Sequence, residues 1–274
     1  MKGQPTVEEV LAPETRAFYD RTLRRLADSE IPFLVGGALA FEQYTGIGRN
    51  TRDLDLFVRP MHRDAVLELF ADVGEETDFS FPHWLAKIRS GDDYVDIIFS
   101  SGNGVAEVDA QWFEHSVTAT VLGIPVALSP VEEMIWSKAF VMERERFDGA
   151  DIVHLIRAQA GALDWTRLVA RFGPHWRVLL SPLVIFGFVY PSERSVVPAE
   201  VMRELVGRLA GEVASPAVDG SSGDATPVCM GTLISRQQYL VDVQARGFTD
   251  ARLPPTGRMT PEEVEVWTAA IHDE

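Results

Sequence analysis

The stretch Phe33-Leu-Val-Gly-Gly-Ala-Leu-Ala-Phe-Glu-Gln-Tyr-Thr-Gly-Ile-Gly-Arg-Asn-Thr-Arg-Asp-Leu-Asp-Leu-Phe-Val58 decides the reading of this chain. Phe33 to Val35 reads as a short buried strand that runs into the turn Gly36-Gly37. Glycine lets the backbone turn tightly and come close to an anion. Ala38 to Tyr44 is rich in helix formers, so a short helix follows the turn. Its first N–H groups and positive dipole end face whatever sits at the turn. After the polar loop Thr45 to Arg52, the segment Asp53 to Val58 alternates acid and apolar residues with the period of a strand. Side chains at i and i+2 share one strand face. Asp53 and Asp55 therefore project together, while Leu54 and Leu56 bury on the other side. Paired carboxylates suit a hard divalent cation.

A third acid stands in Tyr94-Val-Asp-Ile-Ile-Phe99, where Asp96 is flanked by apolar residues. Burying it there is costly unless it is paired or bound to metal. Together, the glycine turn as phosphate cradle and the three acids could align a metal–triphosphate for in-line attack at the α-phosphorus. Each piece alone has an ordinary reading: a tight turn, a solvated strand end, a salt bridge. Their order along strand, turn, helix, strand and strand carries the chemistry.

Around this stretch the chain alternates helices and strands. Glu14 to Ser29 repeats apolar residues at helical spacing, and residues 1–12 are polar and expected to be loosely ordered. Arg63 to Val73 is a predicted helix. Trp84 to Arg89 and Tyr94 to Ser100 form a predicted hairpin around Ser90-Gly91-Asp92-Asp93, and Ser116 to Leu122 with Pro125 to Leu128 another around Gly123. Ser129-Pro130-Val131-Glu132 reads as a capped helix start, with Ser129 as N-cap and Glu132 as the capping acid, and the helix is expected to reach about Arg144. Gly149 to Ala160, Asp164 to Phe172, His175 to Phe188, Pro198 to Leu209 and Leu233 to Gln244 are further predicted helices, with no strand after Asp164. Thr260-Pro261-Glu262-Glu263 starts a last one. The fold class is thus α/β (α+β), a small mixed sheet flanked by helices and followed by a helical C-terminal region. The expected organisation is a sheet domain over 1–128, a helical domain over 129–210 that completes the site, a Gly/Ser-rich linker over 211–227 and a helical tail over 228–274.

Composition narrows the partners. With 41 acidic against 25 basic residues the formal net charge is −16, which disfavours broad binding to a nucleic-acid backbone and suits a cationic small molecule. The single cysteine, Cys229, excludes an internal disulfide and fits a reducing cytoplasm. The N-terminus lacks a signal-peptide core, and Val178 to Tyr190, broken by Ser181, Pro182 and Gly187, is too short to span a bilayer.

The pattern Gly36-Gly37, Asp53-Leu-Asp55 and Val95-Asp96-Ile97 resembles the DNA polymerase β-like nucleotidyltransferase superfamily over about residues 30–160. Thr51-Arg-Asp-Leu-Asp-Leu56 looks like the version in bacterial stand-alone members related to AbiEii-type toxins and to aminoglycoside and lincosamide nucleotidyltransferases. The resemblance implies transfer of an NMP from an NTP, such as ATP, to an acceptor hydroxyl with Mg²⁺ or Mn²⁺ held by Asp53, Asp55 and Asp96. It makes Asp96 the default base for that hydroxyl. Ser129 to Lys138 followed by Arg144, Arg146 and Asp148-Gly-Ala-Asp151 is similar to an AbiEii-type segment, which implies that Lys138 touches the nucleotide phosphates and Asp151 supports the site. The alternative for these residues is a solvated helix face with ion pairs such as Glu143 with Arg146 or Arg144 with Asp148. Arg49 and Arg52 are candidate phosphate clamps, or charge balance beside Asp53, and Lys87 is a weaker candidate. His154 stands three residues after Asp151 on one helical face without any zinc-type spacing. Candidate acceptors are a small molecule such as an aminoglycoside-like antibiotic, a protein side chain or a tRNA 3′ end, and a toxin reading adds an antitoxin-like protein partner. A non-catalytic binding module and a metal-dependent phosphodiester hydrolase are the competing readings.

Overall fold

Alternation of apolar and polar residues along the N-terminal half sets up one two-faced sheet. The computed structural model describes residues 6–48, 51, 53–215 and 226–270, and the chain divides into two units, Met1–Pro130 with Met259–Glu274, and Val131–Arg258. The first unit begins with α1 (Val7–Val10) and α2 (Pro13–Asp28), then β1 (Leu34–Val35), α3 (Gly37–Thr45), β2 (Asp53–Phe57) and α4 (Arg63–Ala71). It continues through β3 (Glu76–Phe81), β4 (Leu85–Ser90), β5 (Asp93–Ile98), α5 (Ala110–Glu114), β6 (Val117–Val121) and β7 (Ile124–Leu128). The seven strands form one sheet in the order β3-β4-β5-β2-β1-β7-β6. β2 runs parallel to β5 and antiparallel to β1, and β1 is parallel to β7, so the sheet is mixed. Leu54, Leu56, Ala86, Ile88, Val95 and Ile97 are fully buried and form its apolar core. The period-two alternation puts Asp53, Asp55 and Asp96 on the opposite face.

The second unit holds α6 (Val131–Ala139), α7 (Gly149–Gln159), α8 (Trp165–Phe172), α9 (Trp176–Val189) and α10 (Ala199–Ala214). A two-residue parallel pair follows, β8 (Val228–Cys229) with β9 (Thr249–Asp250), around α11 (Leu240–Ala245). Finally α12 (Pro261–Ala269) returns to the first unit, where Trp267 packs edge-on against Phe81 and Trp84. The architecture is a seven-stranded mixed sheet flanked by helices, followed by a helical region, as expected.

Several local expectations are corrected. Residues 7–10 are helical, because Thr6 and Glu9 close a reciprocal capping box. β3 is an added edge strand, and β8 and β9 are strands after Asp164. The helix after Pro130 ends at Ala139, and Ser129 Oγ makes no hydrogen bond among the described residues. Glu132 does not cap that helix. It accepts the Asp164 N–H at 2.7 Å and joins Arg167, which also pairs with the fully buried Glu133. Glu133 takes a second bond from Arg171 at 2.8 Å, so tertiary ion pairs claim both acids. The predicted Leu233 to Gln244 helix is cut short to α11, because Glu143 holds the Ser235 hydroxyl and the Arg236 N–H in a turn. The segment read as a linker begins inside α10, which extends to Ala214; residues 216–225 lie outside the described residues. One helical run, Trp165–Val189, is long and apolar enough by length and composition to cross a bilayer. Gly173 at φ +46 and Pro174 break it, and Leu179, Leu183 and Phe186 are buried within the second unit.

Candidate active site

The parallel register of β2 and β5 sets Asp55 directly opposite Asp96 and Asp53 opposite Tyr94. Carboxylate oxygens of Asp53, Asp55 and Asp96 all lie within 4.8 Å of one another, the one such group of three or more potential metal ligands among the described residues. Three half-buried acids of this kind offer the all-oxygen donor set that Mg²⁺ or Mn²⁺ prefers. The residues present therefore fit a divalent ion.

The glycine turn is built around the same carboxylates. Gly37 has φ +53, and a Cβ there would lie 1.7 Å from Asp55 Oδ2. A Cβ on Gly36 would meet the Phe57 ring at 2.2 Å, and that ring is stacked on Trp112 at 5.0 Å. Gly36 N–H donates to the Asp55 carbonyl at 2.9 Å, fastening the turn to β2. The N-terminus of α3 thus starts beside Asp55, where its dipole favours negative charge. Thr51 Oγ1 donates to Asp53 Oδ1 at 2.5 Å and fixes that side chain.

The antiparallel register of β5, β4 and β3 extends the site into a charged surface. Asp96 faces Lys87, and Lys87 faces Asp78, so Asp55, Asp96, Lys87 and Asp78 form one row across four strands. Lys87 Nζ donates to Asp96 Oδ1 at 2.5 Å and lies 3.8 Å from the centroid of the Tyr94 ring. Burial pushes the Asp96 carboxyl above the usual range, against the pull of Lys87. The Tyr19 hydroxyl is buried with no hydrogen-bond partner among the described residues, and its pKa is raised by burial and then by Asp53, Asp93, Tyr94 and Asp55.

The second unit brings together two other predicted residues. Lys138 Nζ bonds Asp151 Oδ2 at 2.8 Å and Asp148 Oδ2 at 3.3 Å, and Arg146 also reaches Asp148. Burial alone would raise the Asp148 carboxyl, but Lys138 and Arg146 outweigh it and hold it low. Asp148 pairs with Lys138 and Arg146 rather than Arg144, and Glu143 bonds Ser235 rather than pairing with Arg146. Arg49 and Arg52 lie outside the described residues.

The contacts of Thr51 and Tyr19 at the acids are not expected from the sequence, while Lys87, on the strand expected to pair with that of Asp96, faces that residue directly. For Lys87 a signal existed. A two-residue turn at Gly91-Asp92 pairs Ser90 with Asp93, and counting outward pairs Lys87 with Asp96. Nothing in the sequence marks Tyr19, which looks like any core aromatic of an amphipathic helix.

A family model described as "Nucleotidyl transferase of unknown function (DUF2204)" matches residues 15–172, more than half of the chain. The chain belongs to this family. Its acid cluster, inside the matched segment, is a candidate metal site. No curated protein matches the chain. Among solved structures it is similar to the antibiotic-resistance factor ANT(2'')-Ia at 18% identity, covering 75% of this chain and 96% of that one with a TM-score of 0.40. A nucleotidyltransferase-like protein from Paracoccidioides brasiliensis aligns at 15% identity over 69% of this chain and 94% of its own, with a TM-score of 0.43. The lincosamide antibiotic adenylyltransferase LnuA aligns at 16% identity over 53% of this chain and 96% of its own, with a TM-score of 0.37. Family membership rests on the sequence match, not on these likenesses.

Proposed function

We propose that this nucleotidyl transferase family member moves an NMP from an NTP to an acceptor hydroxyl and releases pyrophosphate. The observation that carries the reading is the convergence of Asp53, Asp55 and Asp96 within 4.8 Å, one strand pairing away from the Gly36-Gly37 turn. Asp53, Asp55 and Asp96 would hold Mg²⁺ or Mn²⁺, which when bound polarises phosphoryl oxygens and offsets charge on the departing pyrophosphate. The Gly36-Gly37 turn and the first N–H groups of α3 receive phosphate oxygens beside Asp55, whose carboxylate fills the place a Cβ on Gly37 would take. Asp96, the default base on the family resemblance, takes the proton from the acceptor hydroxyl as its oxygen bonds the α-phosphorus and the pyrophosphate oxygen leaves. Arg49, Arg52 and Lys138 bind phosphates in this reading, and Asp151 holds Lys138 in place. The acidic balance of the chain favours a cationic small molecule or a protein side chain over a tRNA 3′ end as acceptor. A toxin role with an antitoxin-like protein partner in the cytoplasm, on the AbiEii pattern, remains within the same chemistry.

Incubation with each α-labelled NTP, Mg²⁺ and a cell lysate tests the proposal. Label transferred to an acceptor supports it. Binding without turnover points to a binding module, and release of free NMP to a hydrolase. Asp55→Asn is expected to keep the fold and lose transfer by about 10²-fold or more, as when a group acting at the reacting centre is removed. Unchanged activity in that variant sinks the site assignment.

A further inference from the structure

We propose that Lys87 is a positioning residue for the metal-binding carboxylate Asp96. The inference rests on the metal-dependent reading above and names a residue to which that reading gives no role. Asp96 occupies the middle of a cross-strand row, with Asp55 on one side and Lys87 on the other. A carboxylate in that place has two oxygens to dispose. Lys87 Nζ binds Oδ1 at 2.5 Å, which fixes the rotation of the carboxylate and leaves the second oxygen its full ligand capacity.

The pairing is fixed by what surrounds it. The next residue in the row, Asp78, would compete for Lys87, but its own oxygens are already engaged. Arg89 Nε donates to Asp78 Oδ2 at 2.9 Å, and Ser80 Oγ donates to Oδ1 at 2.8 Å. Lys87 itself is held in place, with its ammonium 3.8 Å from the centroid of the Tyr94 ring and its side chain only 17% exposed. Arg89 and Ser80 thus satisfy Asp78, and Lys87 is committed to Asp96. This arrangement resembles the outer partners that orient ligands around metals elsewhere, whose loss costs affinity although they never touch the ion.

The experiment is titration of Mn²⁺ into the full chain without nucleotide, followed by electron paramagnetic resonance, with kcat and KM for NTP measured separately. Lys87→Met is expected to weaken Mn²⁺ binding by about 10- to 100-fold, the usual range for an outer-sphere partner. Its kcat should fall by more than its KM for NTP changes. Lys87→Arg, which keeps the charge and the donor, should recover most of the affinity, and Lys87→Gln should fall between. Circular dichroism checks the fold, and the Gln and Arg variants keep the test open if the Met variant does not fold. Mn²⁺ affinity in the folded variants equal to or tighter than wild type overturns the positioning role, and tighter binding would mark Lys87 as a competitor of the ion. In that case wild-type binding abolished by Asp55→Asn would leave the metal-dependent reading standing. Absence of Mn²⁺ binding by the wild-type chain overturns both.

Discussion

At the scale of single residues, Gly37 is the position with the least freedom. Its φ of +53 is a conformation that side chains rarely adopt, and an added Cβ would lie 1.7 Å from the Asp55 carboxylate. Gly37→Ala must therefore either move Asp55 or reshape the turn. The backbone strain alone is expected to destabilise the fold by about 1–3 kcal/mol, read as a lower urea midpoint. Transfer should fall further, by about 10²-fold, since a misplacement of about 1 Å at a reacting centre has that cost. Wild-type activity in this variant would show that Asp55 tolerates displacement and does not ligate the reacting complex. A tight turn here was readable in the sequence from two adjacent glycines, although on its own that is an ordinary use of glycine. The reason for it, contact with the very carboxylate that alternation had singled out, required the β1–β2 pairing.

At the scale of elements, strong local patterns were readable and weak ones were not. β2 announces itself by alternation, β5 by an apolar run around one acid, and α12 by Thr260 and Glu263, whose capping box is present. β3 was missed because an exposed edge strand, Glu-Thr-Asp-Phe-Ser-Phe, has no apolar face to display. Ser129 was misread as a cap because Glu132 and Glu133 meet arginines more than thirty residues away in sequence, which no local rule foresees. The link between α8 and α9 carries a pH prediction. His175 lies there, edge-on to Phe140 with ring centroids 5.6 Å apart, and burial lowers its pKa from the ordinary value of 6.5. A depressed pKa means that the unfolded chain takes the proton first. The stability linked to neutral His175 is therefore present above about pH 6.5 and is lost as the pH falls through the lower folded-state value. Urea midpoints of wild type and His175→Phe, compared at neutral and mildly acidic pH, should converge on acidification as the wild type loses this part of its stability. Parallel pH profiles would exclude the contribution.

At the scale of the whole molecule, the decisive property is the charge of −16. The sheet unit concentrates part of it at Asp53, Asp55 and Asp96, a negative focus that draws cations before any specific contact forms. In the proposed reaction the NTP, itself an anion, overcomes that field with the help of a divalent ion and the α3 N-terminus, whereas a cationic acceptor is drawn in by it. The two substrates should therefore respond differently to salt. With NTP and Mg²⁺ saturating, kcat/KM for a polyamine-like or aminoglycoside-like acceptor is expected to fall several-fold as the ionic strength rises from about 0.01 to 0.15 M, where the screening length shrinks from about 30 to 8 Å. The fall should come mainly through KM, because steering acts on encounter and not on the chemical step. An uncharged acceptor such as a simple sugar alcohol should show a flat profile under the same conditions. A flat profile for the cationic acceptor as well would remove the electrostatic argument for its class, and the choice between small molecule, protein and tRNA would then rest on direct transfer assays alone.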